Sequence, residues 1–304
     1  MNLKLMKKLC SYKKKHLETI LRKYLCSKGY KNIIQTDMYT VAEGDLPICL
    51  IAHMDTVFRC PPDKFYYDAK EQVLWSPGGA GFDDRAGIYA ISNILEAGYR
   101  PSIIFTDQEE RGGIGAKKLV EDYPDCIFND CRALIQLDRA NKEDCVYYDC
   151  DNEAFENFIS KFGFQLDWGS FSDISIIAPV WGIAAVNLSI GYEDEHTGCE
   201  RLHCDWCDLT IERVKKILDK SRTMKSYAYI PYIYTYKRHT NPYDVSGFGP
   251  IEEDIDTTWI GRCVLCGNRI VDPQTSHKVN DMNMITYSVC DNCYSQYYGD
   301  PAII

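Results

Sequence analysis

His53 and Asp55 close the apolar run CLIAHMDTV at residues 49–57, and side chains two apart on an extended segment point the same way. An imidazole and a carboxylate at one strand end can hold a cation or move a proton, although a lone pair of this kind also serves as an ordinary buried histidine and its partner. The same chemistry recurs at the acid pair Asp83–Asp84 opening a helical stretch, at Glu109 and Glu110 after a second apolar run, at Asp138 ending a third and at His196 after a fourth. Singly, each has a plain use: Asp83 as a helix cap, Glu110 as solvated loop charge, Asp138 as a turn former, His196 as loop polarity. Together, His53, Asp83, Glu110, Asp138 and His196 are the hard or borderline donors that suit two divalent cations such as zinc, cobalt or manganese, with one carboxylate bridging. Such a pair polarises a carbonyl and draws the pKa of a bound water toward neutrality, which is the chemistry of hydrolysis. Glu109, beside one of these donors, is then available as general base.

For these residues to meet, the chain must bring several strand ends to one edge. The runs NIIQT, MYTVA, LPICLIA, SIIFT, RALIQL and GIAAVNLSI read as strands, and KFYYDAKEQVLWSPGG reads as a hairpin turning at Asp68-Ala69-Lys70. Helical periodicity marks a basic N-terminal stretch with Leu17, Ile20, Leu21 and Leu25, then GFDDRAGIYAISNILEAGY, AKKLVEDY, NEAFENFISKFGF and DLTIERVKKILDKSRTMKSY, while GSFSDIS reads as a polar turn. Strands alternating with helices predict an α/β fold: a mostly parallel, mixed sheet with helices on both faces. In such sheets ligands bind beyond the carboxyl ends of the strands, which is where the acids and imidazoles fall.

Five pieces, IAHMDTV, GFDDRAG, TDQEERGGIGA, QLDRA and NLSIGYEDEHTGCERL, follow one another over most of residues 45–205. At these residues the chain resembles the di-zinc exopeptidase superfamily of aminopeptidases, tripeptidases, glutamate carboxypeptidases and related deacylases. The resemblance implies a zinc exopeptidase-like fold with His53 and Asp138 on one metal, Glu110 and His196 on the other, and Asp83 or its neighbour Asp84 bridging, the first being the better match. It implies Asp55 as the holder of the far nitrogen of His53 and Glu109 as the base. Many relatives insert a lid or dimerisation domain before the bridging acid or between the third-strand acid and the last histidine. Both intervals are too short for one here.

The tail differs in kind. After residue 226 comes a tyrosine-, proline- and acid-rich stretch over 227–258, read as a linker. Cys263 and Cys266, then Cys290 and Cys293, within 259–304 give the paired knuckles of a zinc ribbon, four thiolates around one structural zinc. Its acidic flanks favour a protein or peptide contact over nucleic acid, and the formal net charge of −10 points the same way. His203, Cys204 and Cys207 form a further short-spaced group without a second pair and are read as packing residues, and no cysteine has a nucleophile's context. The 15 cysteines scattered over 304 residues, 45% of them hydrophobic and 26% charged, suit a reducing compartment. No apolar run reaches the ~18–20 residues that span a bilayer, and the basic N-terminal stretch lacks a leader's apolar core. A cytoplasmic protein without membrane contact is expected.

The expectation is therefore a metallohydrolase that cleaves peptide bonds at a substrate terminus, an aminopeptidase first, with residues 1–226 as its catalytic domain. Its rivals are a carboxypeptidase or N-acyl amino acid deacylase, for which Arg85, Arg111, Arg139 or Arg201 would hold a carboxylate, and an inactive peptide-binding scaffold recruited through the ribbon. Metal analysis of the purified chain is expected to find about three ions, two labile on nitrogen and oxygen donors and one tight on thiolates. Mild chelation should remove the first two before the tail unfolds; a metal-replete protein holding only the thiolate ion would sink the two-cation expectation.

Overall fold

The computed structural model describes residues 1–232 and, beyond them, the backbone of four short strands. The chain forms α1 (Leu3–Ser11), α2 (Lys14–Ser27), β1 (Ile33–Gln35), β2 (Tyr39–Ala42), β3 (Leu46–His53), β4 (Tyr66–Asp68), β5 (Val73–Trp75), α3 (Phe82–Glu96), β6 (Pro101–Thr106) and α4 (Ile114–Asp122). It continues with β7 (Leu134–Arg139), β8 (Asp144–Val146), α5 (Glu153–Ser160), β9 (Gln165–Leu166), α6 (Asp173–Trp181), β10 (Ala185–Ser189), β11 (Tyr192–Glu193), β12 (Arg201–His203) and α7 (Cys204–Ser221).

The main sheet runs β1-β2-β6-β3-β7-β10-β8-β9. Its centre is parallel: β3 pairs with β6 and β7, and β7 with β10, while β1, β2 and β8 join antiparallel. This is the mixed α/β sheet that the alternating pattern predicts. The central strands read as unbroken apolar runs because they are covered on both faces. Along β3, Ile48, Leu50 and Ala52 enter one core with residues of α1, α2, α3, α5 and α7, whereas Cys49 and Ile51 enter a second with α4 and α6. Each fully buried leucine or isoleucine contributes about 1.5–3 kcal/mol of transfer free energy. Gly87 lets α3 close on the sheet, since a Cβ there would lie 2.2 Å from the Leu137 carbonyl oxygen.

Two local readings change. The expected single N-terminal helix is two, α1 and α2, separated by Tyr12 and Lys13 in extended conformation. The polar turn GSFSDIS instead leads into α6 at Asp173. That helix is short, apolar almost throughout and carries Pro179, so it has no polar face to give a helical period, and it is held by burying Ile174, Ile177, Ala178 and Trp181. The hairpin forms as β4 and β5, with Asp68 Oδ1 accepting from the Lys70 and Glu71 amides. It is extended by β12 and β11 into a second sheet of four strands that the sequence did not suggest.

The chain divides into two compact units, residues 1–166 with 171–230 and residues 167–170 with 231–304. The catalytic domain was expected to end at residue 226, inside the first unit. In the second unit, Gly261–Arg262 (β13) pairs with Arg269–Ile270 (β14), and Ser276–Asn280 (β15) with Thr286–Cys290 (β16). Cys263, Cys266 and Cys293, and the expected linker beyond residue 232, lie outside the described residues, as does the side chain of Cys290. Among the described residues no helix is long and apolar enough to cross a membrane.

A chain ended after residue 232 is expected to fold, because the first unit contains both cores. Circular dichroism should keep its helical signal and heating should give one cooperative transition; a chain that stays unfolded would show that the second unit completes the first.

Candidate metal centre

Parallel pairing of β6, β3, β7 and β10 sends their carboxyl ends to one edge, and the register aligns them: His53 lies opposite Thr106, and Ile51 opposite Gln136, so His53 and Asp138 stand level. His53 Nε2 is 2.8 Å from Asp83 Oδ1 and 3.5 Å from Asp138 Oδ1. Across the shared aspartate, His196 Nε2 is 3.0 Å from Asp83 Oδ2 and 2.9 Å from Glu110 Oε2. The donors fall into two sets, His53–Asp83–Asp138 and Asp83–Glu110–His196, each with ligand atoms within 4.8 Å of one another. The first set is buried, and the second opens to solvent at His196.

Two of the donors, His53 and Asp138, are oriented from behind. Asp55 Oδ1 lies 3.2 Å from His53 Nδ1, and the Asp55 carboxylate also accepts the Glu109 and Glu110 amides. A ring nitrogen engaged this way turns Nε2 toward the cluster. Asp138 accepts from Gln136 Nε2 at 2.9 Å, Ser172 Oγ at 3.3 Å and Tyr192 OH at 3.2 Å, and Asn187 bonds its backbone on both sides. His196 sits at φ +61°, in a turn closed by the Thr197 hydroxyl bonding the Asp194 carbonyl. Backbone in this region costs about 1–3 kcal/mol for a residue with a side chain.

The two adjacent acids diverge. Gln108 at φ +58° and Gly112 at φ +84° bracket a single 3-10 turn, Glu109–Arg111. Glu110 turns to His196, whereas the Glu109 carboxylate makes no hydrogen bond or ion pair among the described residues. Burial, with the carboxylates of Asp138, Asp173 and Asp83 nearby, pushes the Glu109 carboxyl up to about 9, and burial pushes Asp138 up to about 7. Burial disfavours a charged His53, yet Asp138, Asp55 and Asp83 outweigh it and raise its pKa, while Asp83 and Glu110 raise His196 to about 11. Asp83 is held low despite burial by hydrogen bonds from both imidazoles.

The acid pair separates by partner. The Asp83–Asp84 peptide is cis, and Asp83 faces both imidazoles. Asp84 points the other way: Oδ2 accepts the His53 amide at 3.1 Å, and Oδ1 accepts the Gly87 amide at 2.9 Å.

Two protonated imidazoles would satisfy some of these contacts as ion pairs. Against those two charges stand the five carboxyl groups of Asp55, Asp83, Glu109, Glu110 and Asp138, and Glu110 Oε1 is buried with no partner. A divalent cation in each set answers both, and nitrogen with carboxylate oxygen is a fitting donor chemistry for zinc, cobalt or manganese. Sequence reasoning missed Gln136, Ser172, Asn187 and Tyr192 around Asp138. Gln136 carried a signal, a polar side chain inside an apolar strand. Asp173 was missed too; it is wholly buried, bonded to the Thr106 hydroxyl, with Oδ1 unpartnered.

The fold is shared with solved peptidase structures. Aminopeptidase PepT of Bacillus cereus superposes with a TM-score of 0.61 at 15% identity, over 72% of this chain and 98% of that one. A Staphylococcus aureus tripeptidase gives 0.60 at 16% identity, over 73% and 98%. A TET aminopeptidase from a marine sediment thaumarchaeon gives 0.57 at 15%, over 71% and 96%. No protein-family model and no curated protein matches the chain.

Asp83→Ala is expected to abolish binding of both cations. Asp84→Ala should keep them and instead lower the unfolding free energy by about 2–3 kcal/mol, the cost of stranding two buried amides. Metal titration and urea unfolding of both variants distinguish these; the opposite pattern would move the bridge to Asp84.

Proposed function

We propose that the chain is a two-metal exopeptidase acting as an aminopeptidase, and that it removes residues from the free amino end of peptides. The observation that carries this is the pairing of two donor sets on one shared aspartate with an uncommitted neighbouring carboxylate, Glu109, at the ligand-binding edge of the sheet. The aminopeptidases and tripeptidase that share the fold support it. His53, Asp83 and Asp138 would hold one cation, and Asp83, Glu110 and His196 the other, zinc first and cobalt or manganese as alternatives. When bound, the cations supply Lewis-acid polarisation of the scissile carbonyl and acidify the attacking water.

The chain's own residues supply the remainder. Glu109 takes the water's proton on its free carboxylate and returns it to the departing amine nitrogen. Asp55 keeps the His53 proton on Nδ1, so that Nε2 offers its lone pair. Gln136, Ser172 and Tyr192 hold Asp138 with its oxygens toward the cluster.

The choice of substrate end follows from which charges are uncommitted. Arg85 is buried against the Met54 carbonyl, and Arg201 is paired with Glu193 and Asp194, so neither is available to a substrate carboxylate. Glu195 is half-buried beside the exposed His196 and suits a protonated amine. Exposed Arg111, next to Glu110, favours the carboxypeptidase or N-acyl deacylase reading. A structural zinc on Cys263, Cys266, Cys290 and Cys293, with a protein partner met through that ribbon, belongs to the same proposal; the paired spacing and two short hairpins support it. A cytoplasmic location is supported by the eleven free cysteines among the described residues.

Free-amine tripeptides are expected to be cleaved and their N-acetylated forms left intact; cleavage of only the blocked forms would favour the deacylase. Glu109→Gln should lower turnover by about 10²–10⁴ with both active-site cations retained, whereas Glu110→Gln should lose the cation of its own set. An active Glu109→Gln enzyme with full metal content would remove Glu109 from the base's role.

A further inference from the structure

Glu200 is fully buried and lies four residues beyond His196, in a segment whose sequence gave it no role. Its Oε2 accepts the amides of Ala80 at 2.8 Å and Gly81 at 2.7 Å, and its Oε1 accepts the amide of Asp83 at 3.1 Å. No lysine, arginine or histidine pairs with it among the described residues. A buried carboxylate without a counter-ion is retained only where hydrogen bonds replace its hydration, and here three amide dipoles from one strap do so.

That strap has no local substitute. Gly81, at φ +70°, precedes the segment Phe82–Asp84, in which Asp83 and Asp84 are non-helical; Asp84 caps the helix that follows by accepting the Gly87 amide, and no side chain from within α3 takes the amides of Gly81 and Asp83. Helix starts leave amides unsatisfied, and an aspartate, asparagine, serine or threonine at the boundary ordinarily takes them. Glu200 takes them from more than a hundred residues away in sequence. The two loops are stitched once more, the Gly78 amide bonding the Gly198 carbonyl at 3.1 Å, and the His196 loop is closed on itself by the Glu200 amide on the Thr197 carbonyl at 3.3 Å.

We propose that Glu200 is a positioning residue that clamps the Asp83 loop to the His196 loop and so sets the cation affinity of the Asp83–Glu110–His196 set. This rests on the two-metal reading of the site. The other set depends on the clamp less, because His53 and Asp138 are carried by paired strands and have orienting partners of their own. Asp83 and His196 are both carried by loops, and Glu200 is what joins those loops. A plain helix cap would share the hydrogen bonds without touching metal affinity. The proposed clamp does both.

The test is calorimetric titration of the full chain, stripped of its labile metal, with manganese(II) chloride, for wild type and Glu200→Gln. The variant places an amide nitrogen or a single oxygen against the three donors. Wild type is expected to bind two ions, and the variant to weaken one by about 10–100-fold, the usual effect of losing a ligand's orienting partner, and the other by less. Thermal unfolding of both metal-free proteins accompanies the titration. Unchanged affinities with a lowered midpoint would make Glu200 a cap only and overturn the clamp. A wild type that binds no manganese would instead overturn the two-metal reading itself. Should Glu200→Gln not fold, Glu200→Asp, which keeps the charge but shortens the reach to the three amides, takes its place in the same titration and is read by the same outcomes.

Discussion

Carboxylates held at contact distance repel one another, and every feature at the carboxyl edge of the sheet answers that repulsion. Asp55, Asp83, Glu110 and Asp138 converge on two imidazoles, so the protein concentrates negative charge where burial makes it costly. Buried like charges persist only with compensation from backbone amides, from hydrogen-bond donors or from cations. The chain uses all the fixed kinds. Asp55 takes two amides, Asp84 two and Glu200 three, while Asp138 takes a side-chain amide and two hydroxyls. One oxygen of Glu110 and one of Asp173 stay buried without a partner, the first of them where cation binding is proposed.

This distribution separates residues of one chemical type by task. Asp83 and Asp84 are consecutive and both buried, yet one faces the imidazoles and the other bonds the β3 backbone and the first turn of α3. Glu109 and Glu110 are consecutive on a single turn, yet only Glu110 reaches His196. In each pair the backbone decides which carboxylate meets the cluster, since neither charge nor size differs. The sheet supplies the reference frame, because paired strands fix His53 and Asp138 far more firmly than loops could.

How much of this was legible in the sequence follows from the same physics. His53 and Asp138 were readable because parallel strands buried on both faces leave long apolar runs, and a polar residue closing such a run stands out. The parallel centre and the hairpin were readable for similar local reasons. Helix α6 was not, since a helix buried on most sides has no polar period and Pro179 argues against one. The small sheet was hidden because β11 and β12 are two and three residues long and pair with a hairpin far away in sequence. Asp83 could not be told from Asp84 because direction, unlike composition, is set by tertiary partners. Glu200 was invisible for the same reason: between Cys199 and Arg201 it looks like any solvated loop acid, and only the folded chain brings Ala80 and Gly81 to it.

The asymmetry between the two donor sets has a consequence for how the edge can work. The His53–Asp83–Asp138 set is buried and strand-borne, while the other ends at His196, which is exposed and held on a left-handed turn. An ion in the first set would be enclosed by side chains with partners of their own, whereas one in the second would lie at the mouth, where a substrate's end arrives. Exposure of His196 leaves the Glu110–His196 side open to water. Burial and the nearby carboxylates of Asp138, Asp173 and Asp83 raise the proton affinity of Glu109, and a cation in either set would oppose that rise by offsetting the same negative charge.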